Sequence, residues 1–548
     1  MKNKNLIGST RLLIFSLSVI WFSGCTAKRE PAEERRVFRY NEAADISTLD
    51  PAFARDQANI WAVNQIYNGL VQLDDHLSVV PCIARSWKIS TSGTEYTFYL
   101  RNDVYFHDSP CFAGGSGRRV TAHDFEYSLN RLSDRVIAAP GAWILNYCDE
   151  VRPVETVDDT TLVIRLKRPF PPFLGILSMQ YASVIPHEAI EKFGSDFRSN
   201  PVGTGPFRLG MWKEGVKLVL TKNPNYFETE NGARLPYLDA VSITFLPDKQ
   251  SAFLEFIKGK LDFLSGIDPA YKDELLTKSG ELNPKYSDRV TLLKSPYLNT
   301  EYFAILMDPD ANDGSDQNPL RNREVRKAIN YAFDRVKMIR YLRNNIGFPG
   351  VFGIVPPGVP GADTSAPHYE YNPAKAKDLL DKAGYPGGKG LPELVLTTTS
   401  DYIDICKFIQ FQLAEQGITL RIEISPPAAM REMRAQAKLP FFRASWIADY
   451  PDAESYLSLF ITENHTPAGP NYTRFKNREF DELYHSAMSM TNDTLRYEQY
   501  REMQQIIMRE SPVIILYYDE VLTFVRKEVS GLGINPMNLL TLKRVRKS

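Results

Sequence analysis

Hydrophobic and polar residues alternate along the first part of the chain in short runs with the two-residue period of β-strands. Between residues 37 and 100, β-rich runs are separated by turn residues. The run EYTFYL at 95–100 predicts a strand, and Ser92 with Gly93 just before it predicts a turn. The run TLVIRL at 161–166 predicts a further strand, which the prolines after it bring to an end.

A helical period replaces this alternation at residues 120–132, where apolar residues recur on one face. Thr121 precedes this stretch and Asp124 stands three residues later, which is the spacing of a capping box. We therefore expect a helix that begins directly after Thr121.

The second half of the chain is richer in helical patterns. Residues 324–338 predict one helix, with Val336 among the residues on its apolar side. Further along, a strand at 394–398, a helix at 403–416 and a strand at 418–424 follow one another. This β-α-β order predicts a parallel sheet segment.

The composition is that of a large globular protein. The chain has 548 residues, of which 43% are hydrophobic and 24% charged, so it contains enough apolar material for sizeable cores. Its net charge of −1 lacks the basic excess typical of nucleic-acid-binding proteins, and we expect no nucleic acid partner.

The N-terminus has the pattern of an export signal. A positively charged start precedes the apolar run Leu12–Phe22, which is too short to span a bilayer. Ser23 and Gly24 then lead into Cys25, which resembles a bacterial lipobox and implies cleavage before Cys25 and diacylglycerol on its sulfur. The alternative is an ordinary secretory signal with an incidental cysteine. The polar, charged stretch 25–36 predicts a flexible tether.

Sequence signals of catalysis, metal binding and cofactor binding are weak in this chain. The chain has only seven histidines and no G-x-S-x-G elbow, zincin helix or phosphate-binding loop. We therefore expect neither an enzyme nor a cofactor. Export makes disulfides possible, but the spacing does not choose a pairing among the four cysteines after the signal: Cys82, Cys111, Cys148 and Cys406.

Several motifs occur in a fixed order along nearly the whole chain. They are STLDP (47–51), QIYNGL (65–70), ARSW (84–87), EYTFYLRNDVYFHD (95–108), VTAHDFEYSLNRL (120–132), NPVGTGPF (200–207), NPNYF (223–227), VRKAINYAFDR (325–335), YNPAKAKDLLDKAGY (371–385), WIADYPDAESYL (446–457) and REFDEL (478–483). In this order, behind a lipoprotein-like signal, the chain resembles the family 5 solute-binding proteins of ABC importers, the oligopeptide- and dipeptide-binding group.

The resemblance implies roles for three residues at a three-residue spacing. Asp449 would accept the α-ammonium group of a peptide, Trp446 would shape a side-chain pocket and Arg443 would meet a peptide carboxylate. A desolvated ammonium needs a fixed counter-charge, which suits Asp449 to this task. The alternatives are that Asp449 is a turn residue, Arg443 part of a structural ion pair and Trp446 a core aromatic.

Three further residues lie in segments that are near the cleft in this family, namely Trp143, Asn471 and Tyr472. Their motif matching is loose, so surface or core roles remain open for them. Gly203 and Gly205 are interpreted as fold markers, where glycine permits a positive φ and a close approach of the backbone.

The implied fold is α/β, a two-lobe periplasmic-binding-protein-like architecture (type II, cluster C like) with a hinge and a ligand cleft between the lobes. Residues 1–24 are the lipoprotein signal peptide, 37–290 with 512–548 form a discontinuous lobe I, and 296–508 form lobe II. The partners implied are a peptide, the permease subunits of an ABC importer and the membrane reached through Cys25. We expect a monomer in the bacterial cell envelope, on its periplasmic or extracellular face.

Two alternatives to a peptide receptor stay open from the sequence. One is a receptor of the same family for another solute, such as a murein peptide, a metal chelate or haem. The other is a secreted hydrolase, against which the lack of a nucleophile–base motif counts.

Overall fold

The computed structural model describes residues 36–266, 268, 271–308, 318–365 and 368–548. The predicted signal peptide, Cys25 and the tether up to residue 35 lie outside the described residues. Within the described ranges, no helix combines the length and the apolar character that a membrane crossing requires.

The described residues form an alternation of strands and helices. The strands are β1 (Val37–Asn41), β2 (Val71–Leu73), β3 (Val79–Pro81), β4 (Ala84–Ile89), β5 (Glu95–Leu100), β6 (Val154–Asp158), β7 (Thr161–Arg165), β8 (Phe207–Lys213), β9 (Lys217–Lys222), β10 (Thr229–Glu230), β11 (Ala233–Arg234), β12 (Ala240–Thr244), β13 (Phe263–Ser265), β14 (Val290–Ile305), β15 (Phe348–Pro349), β16 (Leu394–Thr398), β17 (Leu420–Ile424), β18 (Phe441–Ile447), β19 (Val513–Arg526), β20 (Val529–Ser530) and β21 (Arg546–Lys547). The α-helices are α1 (Gln57–Ile66), α2 (Ala122–Leu132), α3 (Phe173–Leu177), α4 (His187–Phe193), α5 (Lys249–Ile257), α6 (Lys272–Leu275), α7 (Arg323–Tyr331), α8 (Arg335–Leu342), α9 (Pro373–Lys382), α10 (Ile403–Ala414), α11 (Pro427–Ala435), α12 (Glu454–Leu457), α13 (Arg478–Met488) and α14 (Asp493–Glu510).

Two four-stranded sheets organise the first half of the described chain. One has the order β1-β12-β9-β8, in which β1 runs parallel to β12 and the other neighbours are antiparallel. The other has the order β4-β5-β7-β6 and is antiparallel throughout. The strands predicted at 95–100 and 161–166 are confirmed as β5 and β7 of this second sheet.

A seven-stranded sheet organises the second half, with the order β13-β19-β14-β18-β16-β17 and β15 paired to β19. Its strands β16 and β17 are parallel, which confirms the prediction from the β-α-β pattern. The long strands β14 and β19 pair along most of their lengths, with a register shift between Pro296 and Thr300. The domain boundaries at 290–296 and 508–512 stay predictions.

Local helix signals explain one success and one error of the sequence analysis. The capping box at Thr121 is present, because its side chain and that of Asp124 bond reciprocally to the backbone at the start of α2. The single helix predicted over 324–338 is wrong. Asp334 accepts a hydrogen bond from the backbone N–H of Lys337 and caps a separate helix, α8, on which Val336 is 53% exposed.

Close backbone packing joins the first sheet to helix α1. A Cβ atom added at Gly203 would lie 2.1 Å from the Ile66 carbonyl oxygen, and one at Gly205 would lie 2.4 Å from the Ile66 carbonyl carbon. The expected close approach is therefore confirmed at both glycines, whereas neither adopts a positive φ. The four cysteines after the signal are all free thiols in the structure.

Candidate functional site

The three residues that the resemblance singled out lie on strand β18 and the loop that follows it. Arg443 and Trp446 are within the strand, and Asp449 is two residues beyond its end. Side chains alternate between the two faces of a strand, so the three-residue spacing places Arg443 and Trp446 on opposite faces of the sheet. The three residues therefore do not converge on one point.

Arg443 is engaged in a buried ion pair. Its Nε donates to Glu301 Oε2 at 3.0 Å, a second guanidinium nitrogen contacts the same oxygen, and the guanidinium lies 3.4 Å from the ring centre of Tyr402. The side chains of Arg443 and Glu301 are only 14% and 3% exposed. Arg443 is thus held in a buried ion pair with Glu301, and its role toward a ligand carboxylate stays a prediction.

The pKa values of both Glu301 and Arg443 are raised, but for different physical reasons. Burial raises the pKa of Glu301, and the Arg443 charge opposes the rise without cancelling it. Burial lowers the pKa of Arg443, but the Glu301 carboxylate, together with Tyr402 and Tyr517, raises it, and the net shift of the Arg443 pKa is upward. Desolvation costs Glu301 more, because it is the more deeply enclosed partner.

In contrast to Arg443, Asp449 is a charged residue that forms no ion pair among the described residues. Among the described residues, no ion pair or side-chain hydrogen bond involves its oxygens, and the side chain is exposed to solvent. Desolvation by the surrounding protein nevertheless raises its pKa from 3.8 to about 6. Asp449 is thus a solvent-exposed carboxylate with much protein around it.

Residues between 140 and 182 lie close to Asp449 and Tyr450. Burial raises the pKa of Tyr181, and the Asp449 charge is the next contribution to that rise. Tyr147, at the end of the 3-10 helix Pro140–Tyr147, is also within the electrostatic reach of Asp449. Helix α3 packs on the residue after Asp449, since a Cβ atom added at Gly175 would lie 3.3 Å from Tyr450 Cβ.

Ser455 fixes the geometry of the loop. Its Oγ accepts hydrogen bonds from the indole N–H of Trp446 at 3.3 Å and from the backbone N–H of Asp449 at 3.2 Å. Trp446 is half-buried against the largest core cluster. The Ser455 hydroxyl therefore fixes the position of the Trp446 ring relative to the backbone of Asp449.

The weaker candidates separate into two kinds. Trp143 is half-buried on the same 3-10 helix as Tyr147, near the cleft wall. Asn471 is 0% exposed, and its amide donates to the carbonyls of Ile461 and Phe475 while its oxygen accepts from Thr473 Oγ1 and the Phe475 N–H. Both ends of the Asn471 amide are thus bonded inside the protein, and a role of Asn471 in ligand binding stays a prediction.

Tyr472, the residue after Asn471, is half-buried and carries a cation on its ring. The guanidinium of Arg434, in helix α11, lies 4.3 Å from the centre of that ring. Asn471 holds the loop in place and thereby positions Tyr472 beneath Arg434.

One edge of β18 is open beside these residues. Antiparallel pairing with β14 covers residues 441–447, whereas the parallel pairing with β16 is recorded only between Thr397 and Phe442. Within the described chain, the last residues of β18 therefore have no strand partner on the side away from β14. Such an edge accepts an extended backbone as an added strand.

A cavity on the seven-stranded sheet does not reach Asp449. A cavity of about 560 Å³ is lined by Arg343, Tyr402, Tyr517 and Asp519 among others, and Asp449 is not among its lining residues. Asp449 stays the predicted site residue, because recognition of a charged solute requires a counter-charge that no protein cation already satisfies.

Sequence analysis missed Glu301, Tyr181 and Arg434. Glu301 lies 142 positions before the arginine that it pairs with, and no local pattern announces that contact. Arg434 stands nine residues before Arg443 on an amphipathic helix, where an arginine is unremarkable in sequence. The local signal available in this region is the two-residue alternation of side chains along β18. It indicates that Arg443 and Trp446 lie on opposite faces of the sheet.

The chain is similar to known proteins along most of its length. Residues 78–467 match the family described as bacterial extracellular solute-binding proteins, family 5 Middle. The glutathione-binding protein GsiB of Salmonella choleraesuis is 29% identical over 501 residues, which are 90% of this chain and 91% of that protein.

Solved structures agree with the sequence comparison. The periplasmic binding protein DppA of Helicobacter pylori, solved with the peptide STSA, is 26% identical with a TM-score of 0.74 over 93% of this chain and 98% of that one. The murein tripeptide binding protein MppA of Escherichia coli is 22% identical with a TM-score of 0.72, over 94% of this chain and 99% of that one, and shows the fold alone. The fold is therefore the two-lobe α/β fold of periplasmic binding proteins.

Proposed function

Because the chain belongs to the family 5 bacterial extracellular solute-binding proteins, we propose that it captures peptides in the cleft beside Asp449 and delivers them to an ABC importer. The proposal is one of binding and release, not of catalysis. Closure of the two lobes buries the ligand and strengthens its ionic contacts by excluding water.

One observation carries the proposal, the carboxylate of Asp449 that has no cation among the described residues. Burying a carboxylate without a partner is costly, and a ligand ammonium supplies the partner only when it is bound. The site is thus complementary to the one group that every unmodified peptide carries at its N-terminus.

The ligand class is supported by the open edge of β18 and by the relatives. An extended peptide main chain can pair with that edge and leave its side chains in loosely fitting pockets. Glutathione, the peptide STSA and a murein tripeptide, which the three relatives are named or titled for, are all peptides. A free α-ammonium group for Asp449 is the chemistry we carry from them to this chain.

The location and delivery belong to the same proposal. Cys25, within the lipobox-like sequence, would carry the lipid that holds the protein at the bacterial envelope, and the stretch up to residue 36 would be the tether. The protein would act as a monomer that presents its closed, liganded form to the permease subunits.

Calorimetric titration of the wild type and Asp449→Asn, each with a peptide and its N-acetylated form, tests the proposal. Loss of one partner of a buried charge pair costs about 2–5 kcal/mol, so Asp449→Asn should weaken binding of the free peptide by roughly 30- to 4000-fold. N-acetylation removes the other partner, so the two changes should be strongly non-additive. The peptide should be recovered intact.

A matched control is Asp288→Asn, which removes one negative charge from an exposed carboxylate after the 3-10 helix Pro284–Tyr286. It should bind the free peptide as the wild type does. Equal affinity of the wild type for free and acetylated peptides would exclude the role of Asp449 and refute the proposal.

A further inference from the structure

Glu42, the residue directly after strand β1, is a carboxylate without a cation. Its backbone N–H donates to the Thr244 carbonyl at 2.9 Å and continues the pairing of β1 with β12. The side chain is half-buried, its Oε1 atom is buried without a hydrogen-bond partner, and no ion pair involves it among the described residues. Burial raises the pKa of Glu42 from 4.5 to about 8, and the charge of Asp56 adds to the rise.

Other buried carboxylates in the first half of the chain are each paired with a cation. The pairs are Asp50 with Arg131 at 2.6 Å, Asp124 with Arg118 at 2.6 Å and Asp262 with Lys547 at 2.8 Å. Because burial of a carboxylate without a counter-charge is costly, the exception at Glu42 indicates a cation that the described protein does not itself supply.

A second polar group without a partner lies beside Glu42. Tyr40 is 0% exposed, and its hydroxyl has no hydrogen-bond partner. Residues two apart along a strand share one face, so the Tyr40 and Glu42 side chains extend to the same side of β1. Burial raises the pKa of Tyr40, and the Glu42 charge is the next contribution to that rise. One cation can donate hydrogen bonds to both groups.

The loop after Glu42 is tied to the start of helix α1. The backbone N–H of Ser47 donates to Asn59 Oδ1 at 3.0 Å, and Asn59 Nδ2 donates to Asp56 Oδ2 at 2.7 Å. Asp56 caps α1 and is near enough to Glu42 for its charge to act there. Two neighbouring carboxylates repel each other, so a bound cation would relieve the repulsion.

The start of α1 also lies beside the surroundings of Asp449. Gln180 Nε2 donates to the Ala54 carbonyl at 2.7 Å, which holds the segment of Tyr181 next to the residues that precede α1. Burial raises the pKa of Tyr181, and the charges of Asp449 and Asp56 both add to the rise. The start of α1 and Tyr181 therefore connect the two carboxylates that lack a cation.

An organic cation suits this place better than a metal ion. Among the described residues, no group of three or more His, Cys, Asp or Glu side chains could hold a metal. A lysine ammonium or an arginine guanidinium has several N–H donors, and a carboxylate with a nearby hydroxyl oxygen accepts them.

We propose that Glu42 receives the basic side chain of a lysine- or arginine-containing peptide, while Asp449 binds the α-ammonium group of the same peptide. This inference rests on the proposed function and narrows its ligands to peptides with two positive groups. A protonated Glu42 carboxyl must ionise when the cation binds, so a basic peptide displaces this proton, whereas a peptide with neutral side chains leaves it in place.

Calorimetric titration of the wild type with matched tripeptides at pH 8 tests the inference. Lysine is placed at each position of an alanine tripeptide in turn and compared with norleucine, which has the same carbon chain without the amine. Arginine is compared with citrulline, its neutral counterpart, in the same way. Norleucine is the more apolar side chain, so a preference for lysine cannot come from burial of hydrocarbon.

The basic peptide should bind more tightly at the position that reaches Glu42. A charge-assisted hydrogen bond favours binding roughly 10- to 150-fold, and ionising Glu42 at pH 8 offsets about twofold of this, which leaves roughly 5- to 75-fold. The basic peptide should also release about half a proton more than its neutral counterpart, because about half of the Glu42 carboxyls are protonated at that pH.

Glu42→Gln should bind basic and neutral peptides alike and release no additional proton with the basic one. The matched control is Asp45→Asn, which also removes one negative charge from the same loop, where the side chain is exposed beside Gly215. It should keep the wild-type preference. Thermal unfolding without ligand shows whether each variant is folded, and the wild-type comparison of peptides needs no variant.

Each outcome separates this inference from the proposed function. Equal affinity of the wild type for basic and neutral peptides at all three positions, with binding still weakened in Asp449→Asn, overturns the role of Glu42 and leaves peptide capture standing. Failure of the wild type to bind any of the peptides overturns both. A preference that persists in Glu42→Gln, or that is lost to the same degree in Asp45→Asn, belongs to another group or to overall charge and also overturns the inference.

Discussion

The charged residues at the two ends of the segment from Arg443 to Asp449 have opposite environments. At the Arg443 end, the guanidinium forms an ion pair with Glu301. Asn299 donates a hydrogen bond to the Glu301 carboxylate, and the Tyr402 ring packs against the guanidinium. At the Asp449 end, the carboxylate is crowded by protein but meets no cation among the described residues.

This difference indicates that one short segment contributes to stability at one end and to ligand binding at the other. A charge that is satisfied within the chain contributes to the folded state and has nothing to offer a solute. A charge left open on a cleft wall costs some stability and is satisfied only by a ligand. Stability should therefore depend on the Arg443 end and affinity on the Asp449 end.

The largest expected effect, on the free energy of unfolding, comes from removing the charge that pairs with Arg443. Glu301→Gln leaves the Arg443 charge buried without a counter-charge, and removal of one partner of a buried pair costs about 3–5 kcal/mol. The free energy of unfolding without ligand, measured in urea, should fall by about that amount. A fall as small as that of an exposed acid such as Asp288 would contradict the view of Arg443 as a structural residue.

A smaller effect, on affinity, should come from the pH. With the pKa of Asp449 at about 6 in the free protein, the carboxylate is almost fully ionised at pH 7 and about one part in eleven ionised at pH 5. The ligand ammonium stays protonated in this range. Affinity for a peptide should be about tenfold lower at pH 5 than at pH 7 in the wild type.

Asp449→Asn should lose this pH dependence while its low affinity persists at both values. In the unliganded protein, lowering the pH should raise the free energy of unfolding, whereas it lowers the affinity for a peptide. The raised pKa means that the folded state binds this proton more tightly than the unfolded chain, so the ionised carboxylate reduces stability above pH 6 and relief follows as the pH falls. An equal tenfold change in the variant would assign the pH dependence to another group.

Local sequence signals predicted much of the fold. The capping pair Thr121 and Asp124 and the strand–helix–strand run from 394 to 424 carry their information within a few residues, and both are confirmed. The break at Asp334 was missed because the apolar period continues through it, although Asp is itself a helix-start residue. Periodicity alone does not mark where one helix stops and another begins.

The site was less predictable because its contacts are distant in sequence. The segment around Asp449 was identified by its spacing, but the partner of Arg443 lies 142 residues away and the ring beneath Arg434 lies on a separate loop. Which arginine is paired within the protein and which is left open depends on tertiary packing. The sequence therefore indicated the segment around Asp449 but not the internal contacts of Arg443 and Asn471, whose roles in ligand binding stay predictions.

The central claim is that Asp449 receives the ligand ammonium, and the protons released on binding at pH 6 test it most directly. Calorimetry in buffers of different ionisation enthalpy counts them. About half of the Asp449 carboxyls are protonated at that pH and must ionise to pair with the ammonium, so the wild type should release about half a proton per peptide. Asp449→Asn should release about half a proton fewer. Equal proton release by the two proteins would contradict the account.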